Sequence, residues 1–289
     1  MASSVAVEAT AQGKIRVLAA STEMGQGTNT IFSQIAAETL GIDYDSVEVV
    51  QPDTALVPNS GPTVASRTCM IVGKLVESAA LGIRTTLVQA GLLEERYSKQ
   101  DFRQACARYI EQHGGLKCSS DYSPPPGIFW DDEKYRGDAY AAYAWAVYVA
   151  EVSVDTRTCE TRVDDFVAVQ EVGRVINPVL AAGQIEGGVA QGVGFALYED
   201  VVWREGRMVN SQMTNYIMPT SADLPRIRVY FEEAHYAHGP AGAKGIGELP
   251  IDGPAPAIVN AIENATGISL NCIPVTPELL MQAMEGALV

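Results

Sequence analysis

Five glycines, Gly183, Gly187, Gly188, Gly192 and Gly194, fall within 179–198, a stretch that otherwise has the apolar content of a buried helix. Each glycine inside a helix costs about 0.8–1 kcal/mol relative to alanine. Such a helix needs compensation, and the natural form is another backbone or a ligand coming closer than a side chain would permit. The chain must therefore fold so that this helix is closely packed, lines a ligand, or does both.

Around it the pattern alternates between strands and helices. Gly13–Met24 reads as a strand with Val5–Thr10 as its hairpin partner, and Asn29–Leu40 as a helix capped by Thr28 and stopped by Gly41. A strand at Val47–Gln51 precedes a long polar loop over 52–67, and loops of that length usually have work to do. Helices follow at Cys69–Arg96 and Asp101–Gln112, then a surface excursion at Lys117–Ala139, the expected place for a partner contact. Ala141–Asp155 and Thr161–Glu171 form an antiparallel pair by their alternation. Arg207–Gln212 and Arg226–Glu232 read as strands, and Ala255–Ala265 and Pro277–Gly286 as helices. The class is α+β, with mixed sheets flanked by helices.

Composition excludes several functions. A formal net charge of −15 argues against non-specific nucleic-acid binding. No apolar run reaches the length of a membrane span, and the first residues lack the pattern of a signal peptide, so a cytoplasmic location is expected. Five scattered cysteines without a C-x-x-C, and only three histidines, are poor material for a zinc or iron–sulfur site. No side chain of this sequence is an obvious metal ligand.

Four segments of small residues offer accessible backbone N–H groups: Gly25-Gln-Gly-Thr28, the run from Ser60 to Arg67, Gly183–Gly188, and His238–Pro250. Gln26 and Gln184 bring amides that donate and accept. Arg67 suits a phosphate by charge and fork geometry. Glu248 is the single carboxylate of its loop, and a carboxylate on a rigid turn is a candidate general base. Each has a plainer reading: Gln26 as a cap, Gln184 as a polar residue on a packed helix, Lys244 as a surface lysine, Glu248 as a solvated turn residue.

Taken together and in order, these segments resemble the molybdenum-cofactor subunit of the xanthine dehydrogenase/aldehyde oxidase family, the molybdenum hydroxylases. The matching words are Glu23-Met-Gly-Gln-Gly-Thr28, Gln34–Gly41, Asp53-Thr54, Thr63-Val-Ala-Ser-Arg67, Ile176-Asn-Pro178, Gly183-Gln-Ile-Glu-Gly187 with Gln191-Gly192, and Lys244-Gly-Ile-Gly-Glu248. The likeness covers nearly the whole chain.

The resemblance implies a molybdenum–molybdopterin cofactor, in the cytosine dinucleotide form common in bacteria, with no metal ligand from protein. It places Gly25, Gln26, Gly27, Thr28, Thr63, Val64, Ala65, Ser66, Arg67, Gln184, Lys244 and Gly247 around the cofactor. Arg67 would reach a second phosphate. Glu248 would be the base that deprotonates the metal's hydroxyl, whose oxygen attacks an electron-poor carbon of a small-molecule substrate while hydride leaves for the metal centre. Residues 1–289 would form the rear molybdopterin-binding domain, as two intertwined subdomains with a boundary near 115–140. The family's molybdenum subunit is usually considerably longer, its front half supplying most substrate contacts. This sequence looks like the medium molybdopterin subunit of nicotinate dehydrogenase; a separately encoded subunit and an expressed fragment both fit. A large molybdopterin subunit, an iron–sulfur subunit and an FAD subunit are the implied partners.

Overall fold

The computed structural model describes residues 3–286. They cluster into two compact units whose segments alternate along the chain. One comprises the chain up to Tyr143 with Val172–Leu180 and Glu233–Gly245; the other comprises Ala144–Glu171, Ala181–Glu232 and the residues from Ile246 onward.

The first unit is built on a sheet of β1 (Ser4–Ala9), β2 (Ile15–Leu18), β3 (Val47–Val49) and β4 (Leu116–Asp121) in the order β3-β2-β1-β4. β1 is antiparallel to β2 and β4, whereas β2 and β3 are parallel. A parallel neighbour requires a crossover, supplied by α1 (Thr28–Leu40). Val5, Val7 and Ala9 of β1 meet Phe32, Leu40, Val76, Ile83 and Phe102 of the helices in one core, while Ala6 packs with Leu18, Val50 and Val57 in a smaller cluster. Burying such side chains stabilises the fold by about 1.5–3 kcal/mol each.

Four expectations need correction here. The strand begun at Gly13 stops at Leu18, because the next N–H groups turn away from the sheet: Ala20 donates to Ser60 Oγ at 2.9 Å and Thr22 to Thr63 Oγ1 at 3.0 Å. The helix expected over Cys69–Arg96 is a wide turn, Thr68–Val72, followed by α2 (Gly73–Gln89), with Gly91 at φ 68° just beyond. α3 (Lys99–His113) starts earlier than expected because Ser98 and Asp101 form a reciprocal capping box. The supposed surface excursion at Lys117–Ala139 begins as β4, whose polar Ser119-Ser120-Asp121 hides a full six-residue pairing with β1. Only its later part, with the small hairpin of β5 (Trp130–Asp131) and β6 (Arg136–Gly137), lies outside the main sheet.

The second unit carries β7 (Trp145–Val154) and β8 (Thr161–Glu171), antiparallel as expected. α4 (Pro178–Leu197) is the glycine-rich helix, its first three residues falling with the first unit. Next come a two-stranded ribbon of β9 (Trp203–Arg204) and β10 (Arg207–Met208), then β11 (Arg226–Glu232), parallel to β8. The strand expected over Arg207–Gln212 ends at Met208 because Asn210 turns its amide to Asp200 and Val202. α5 (Leu249–Asp252), α6 (Pro254–Thr266) and α7 (Pro277–Gly286) complete the unit. Phe166, Ile185, Val189, Ile258, Ile262 and Leu280 are fully buried in its core. The mixed α+β class read from the sequence is the class observed.

Candidate functional site

In the first unit, three of the singled-out segments come together. The loop before α1 is organised by Glu23, a residue without an assigned role in the sequence reading. Its carboxylate accepts from the N–H groups of Gly25 at 2.8 Å, Gly27 at 3.1 Å and Asn29 at 2.9 Å. Burial pulls this carboxyl up, but the backbone donors outweigh it and hold it below the ordinary carboxylate value. Thr28 is therefore not the cap: Gly27, at φ 88°, precedes the helix and Thr28 is its buried first residue. The left-handed conformation at Gly27 is one that a β-carbon disfavours.

Gln26 is committed to the same loop. Its Oε1 accepts from Met24 N–H at 2.6 Å, and its Nε2 donates to Thr22 C=O at 2.6 Å and Thr28 Oγ1 at 2.9 Å. Thr63 is tied to this loop through Thr22 N–H, as described above. Beyond it, Val64 is exposed, and Ala65 and Ser66 both adopt positive φ, 52° and 53°. Left-handed non-glycine residues cost about 1–2 kcal/mol each and persist where surrounding structure holds them.

Arg67 supplies much of that hold. It is buried, and Nη1 donates to Ser60 C=O at 3.1 Å and Pro62 C=O at 3.0 Å, while Nη2 donates to Ser3 Oγ. Nη1 is committed to the backbone of its own loop and Nη2 reaches Ser3, so a direct reach to a phosphate is not the role its geometry favours. Ser60, also fully buried, ties the loop to Ser4 C=O at 2.9 Å. The third segment arrives through Gly245, which sits so tightly on Ser66 that an added β-carbon would lie 1.6 Å from its carbonyl oxygen. Lys244 Nζ donates to Tyr143 C=O at 2.8 Å.

The second unit holds Gln184, Gly247 and Glu248. The glycines of α4 divide into two groups. Gly188 and Gly192 admit prolines: a β-carbon there would stand 2.5 Å from Pro250 Cβ and 2.6 Å from Pro254 Cβ. Gly194 is closed by Glu199 and Pro219. Gly183 and Gly187 instead have nothing within 4 Å, and Gln184 stands half-buried beside them. Helix packing thus accounts for three glycines, and the remaining two leave an exposed, unfilled stretch of one helical face. Gly247 and Glu248 are exposed; Glu248 is the N-cap residue of α5, and α5 reaches α4 through Pro250.

The donor set is backbone N–H groups, hydroxyls and side-chain amides. Among the described residues no three His, Cys, Asp or Glu side chains converge to hold a metal ion. Such a set fits a group bound by hydrogen bonds to its organic part, and the open face at Gly183 and Gly187 provides room for one. The sequence reading missed Glu23 as organiser and Ser60 as anchor. A carboxylate two to six residues before a cluster of N–H groups was the available signal for the first.

Comparison with known proteins gives these pieces a context. The molybdopterin cofactor-binding domain family matches residues 1–225. The chain is 30% identical over 287 residues to the xanthine dehydrogenase molybdenum-binding subunit of Escherichia coli O157:H7, covering 95% of this chain and 38% of that one. It is 29% identical, in an alignment 300 residues long, to the gamma subunit of the 6-hydroxypseudooxynicotine dehydrogenase complex of Paenarthrobacter nicotinovorans, covering 97% and 37%. Quinoline 2-oxidoreductase from Pseudomonas putida 86 shares the fold with a TM-score of 0.84 at 26% identity, over 98% of this chain and 38% of that one. The chain spans well under half the length of these relatives. Matched along most of its length, it belongs to the molybdopterin cofactor-binding domain family of the xanthine dehydrogenase and aldehyde oxidase type.

Proposed function

We propose that this chain is the rear part of the molybdenum-cofactor site of a hydroxylase that oxidises an electron-poor carbon of an N-heteroaromatic, nicotinate-like substrate. The observation that carries the reading is the pair of unfilled glycines beside Gln184 on α4, in a unit that also presents Glu248 at the start of α5. The relatives' names support the substrate class: 6-hydroxypseudooxynicotine for one, quinoline for another.

In this reading the cofactor contacts of the second unit are Gln184 and the Gly183–Gly187 face, and those of the first are the Gly25–Thr28 loop, which Glu23 and Gln26 hold in shape, and the N–H groups and hydroxyls of Thr63–Ser66. Lys244 in the first unit and Gly247 in the second are further cofactor contacts in this reading, and Arg67 keeps its loop in shape, whether or not the cofactor carries a second phosphate as a cytosine dinucleotide. When bound, the molybdenum cofactor supplies oxygen transfer and accepts an electron pair. Glu248 contributes by taking a proton at its carboxylate. No helix among the described residues is long and apolar enough to cross a membrane.

Partners complete the enzyme: a larger molybdopterin chain for the front half, and iron–sulfur and FAD chains to carry electrons on. The outer face of the β7–β8–β11 sheet supports the first of these. Val147, Val169 and Tyr230 are cross-strand neighbours there, exposed by 62%, 37% and 52%, and Trp145 and Val149 extend the row. An apolar row of this extent is unusual on an isolated soluble surface.

Purification of the native protein, with molybdenum analysis and identification of bound chains, tests the reading. Stoichiometric molybdenum with a larger molybdopterin chain is the expected result; a monomer free of metal sinks it. Gly187→Ala tests this open helical face itself. Alanine should stabilise the helix by about 0.8–1 kcal/mol, yet molybdenum content should fall severalfold because the methyl group occupies the open face. Unchanged metal content with raised stability would leave that face without a role.

A further inference from the structure

α5 is a single turn, so most of its carbonyls have no intrahelical partner. At its start, the N-cap Glu248 C=O accepts from Ile251 N–H at 3.1 Å, and Leu249 C=O accepts from the Tyr148 hydroxyl. Tyr148 lies on the inward face of β7, its ring 6.2 Å from that of Phe166. The same ring closes on Gly253, where a β-carbon would stand 2.0 Å from Cδ2. With Pro250 seated on Gly188, the turn is held at its start, its middle and the residue after its end.

Behind Tyr148 lies Gln170, fully buried, two residues along β8 from Ala168, the cross-strand partner of Tyr148. The Gln170 amide completes no hydrogen bond of regular geometry. Burial pushes the Tyr148 hydroxyl up, outweighing the nearby Gln170 amide, which favours the ionised form; Asp252 adds to the rise. The hydroxyl therefore stays protonated at neutral pH and keeps donating to Leu249.

We infer that Tyr148 is a positioning residue, fixing the turn that begins at Glu248 by binding the Leu249 carbonyl. The inference rests on the reading of Glu248 as the base. A base must come within hydrogen-bond reach of the proton it takes, and displacement by an ångström can cost about 100-fold in rate.

Tyr148→Phe removes the hydroxyl and leaves the ring on Gly253. In the molybdenum-loaded complex, amides in 249–253 should exchange with solvent at least about 10-fold faster, with β7 and α6 unchanged. The kcat should fall about 10-fold, with KM and molybdenum content within about twofold of the unaltered enzyme. Unchanged exchange in 249–253 overturns the inference, and so does equal acceleration throughout the unit, which marks a general packing residue. A loosened turn with intact kcat also overturns it, provided Glu248→Gln is inactive. If Glu248→Gln is itself fully active, it is the reading of Glu248 as base that falls, and the exchange result alone then decides whether Tyr148 holds the turn.

Discussion

Glu248→Gln is expected to lower turnover by about 100- to 10,000-fold, the range that a positioned acid or base contributes, while leaving molybdenum content and stability intact. The replacement keeps the shape of the side chain and removes its capacity to take a proton. Glu248 is exposed and makes no side-chain cap bond to α5. Its neighbours hold the turn instead: Pro250 on Gly188, and the Leu249 carbonyl under Tyr148. Steady-state turnover with metal analysis on the same preparation checks this. Undiminished turnover at full molybdenum content would move the base to another residue.

The elements most legible in the sequence were those whose pattern serves one purpose. β11 was read to the residue at both ends, and β7 and β8 were found because their alternation places one face in the core. The final helix was read at Pro277–Gly286 as it stands. Failures occurred where a polar side chain took over the backbone. Ser60 and Thr63 draw Ala20 and Thr22 out of the strand begun at Gly13, and nothing in the local sequence of β2 announces a serine forty residues on. β4 was hidden because an edge strand with one half-exposed face accepts Ser119-Ser120-Asp121 without loss.

The candidate site was legible in its composition and less so in its connections. The glycines of α4 were read correctly as a sign of close approach, but which three take protein and which two stay open depends on Pro219, Pro250 and Pro254, distant in sequence. Arg67 shows the limit most clearly. Its residue type suggested a phosphate, and its burial among backbone carbonyls shows a fork used to shape a loop. Tyr148 carried no signal at all, since an inward tyrosine on a strand is ordinary core until the carbonyl it binds is known.

The tightest of these long-range contacts yields the other large expected effect. Gly245→Ala would place a β-carbon 1.6 Å from the Ser66 carbonyl oxygen and 2.7 Å from its carbon. Both are backbone atoms, so no flexible side-chain end can yield. Ser66 already sits at φ 53° after Ala65 at 52°, and Arg67 pins the loop through Ser60 and Pro62, leaving little freedom to retreat. Overpacking of this kind typically costs about 1–3 kcal/mol, occasionally more. The first unit should lose that much stability in denaturant unfolding. Molybdenum content should fall well below half, because the strained loop presents its N–H groups only in its present shape. Gly115→Ala is the matched control: that position has nothing within 4 Å, and an added methyl group there should leave both measurements unchanged. A Gly245→Ala protein with full metal content would show that the Thr63–Arg67 loop tolerates displacement, and its place in cofactor binding would then be lost.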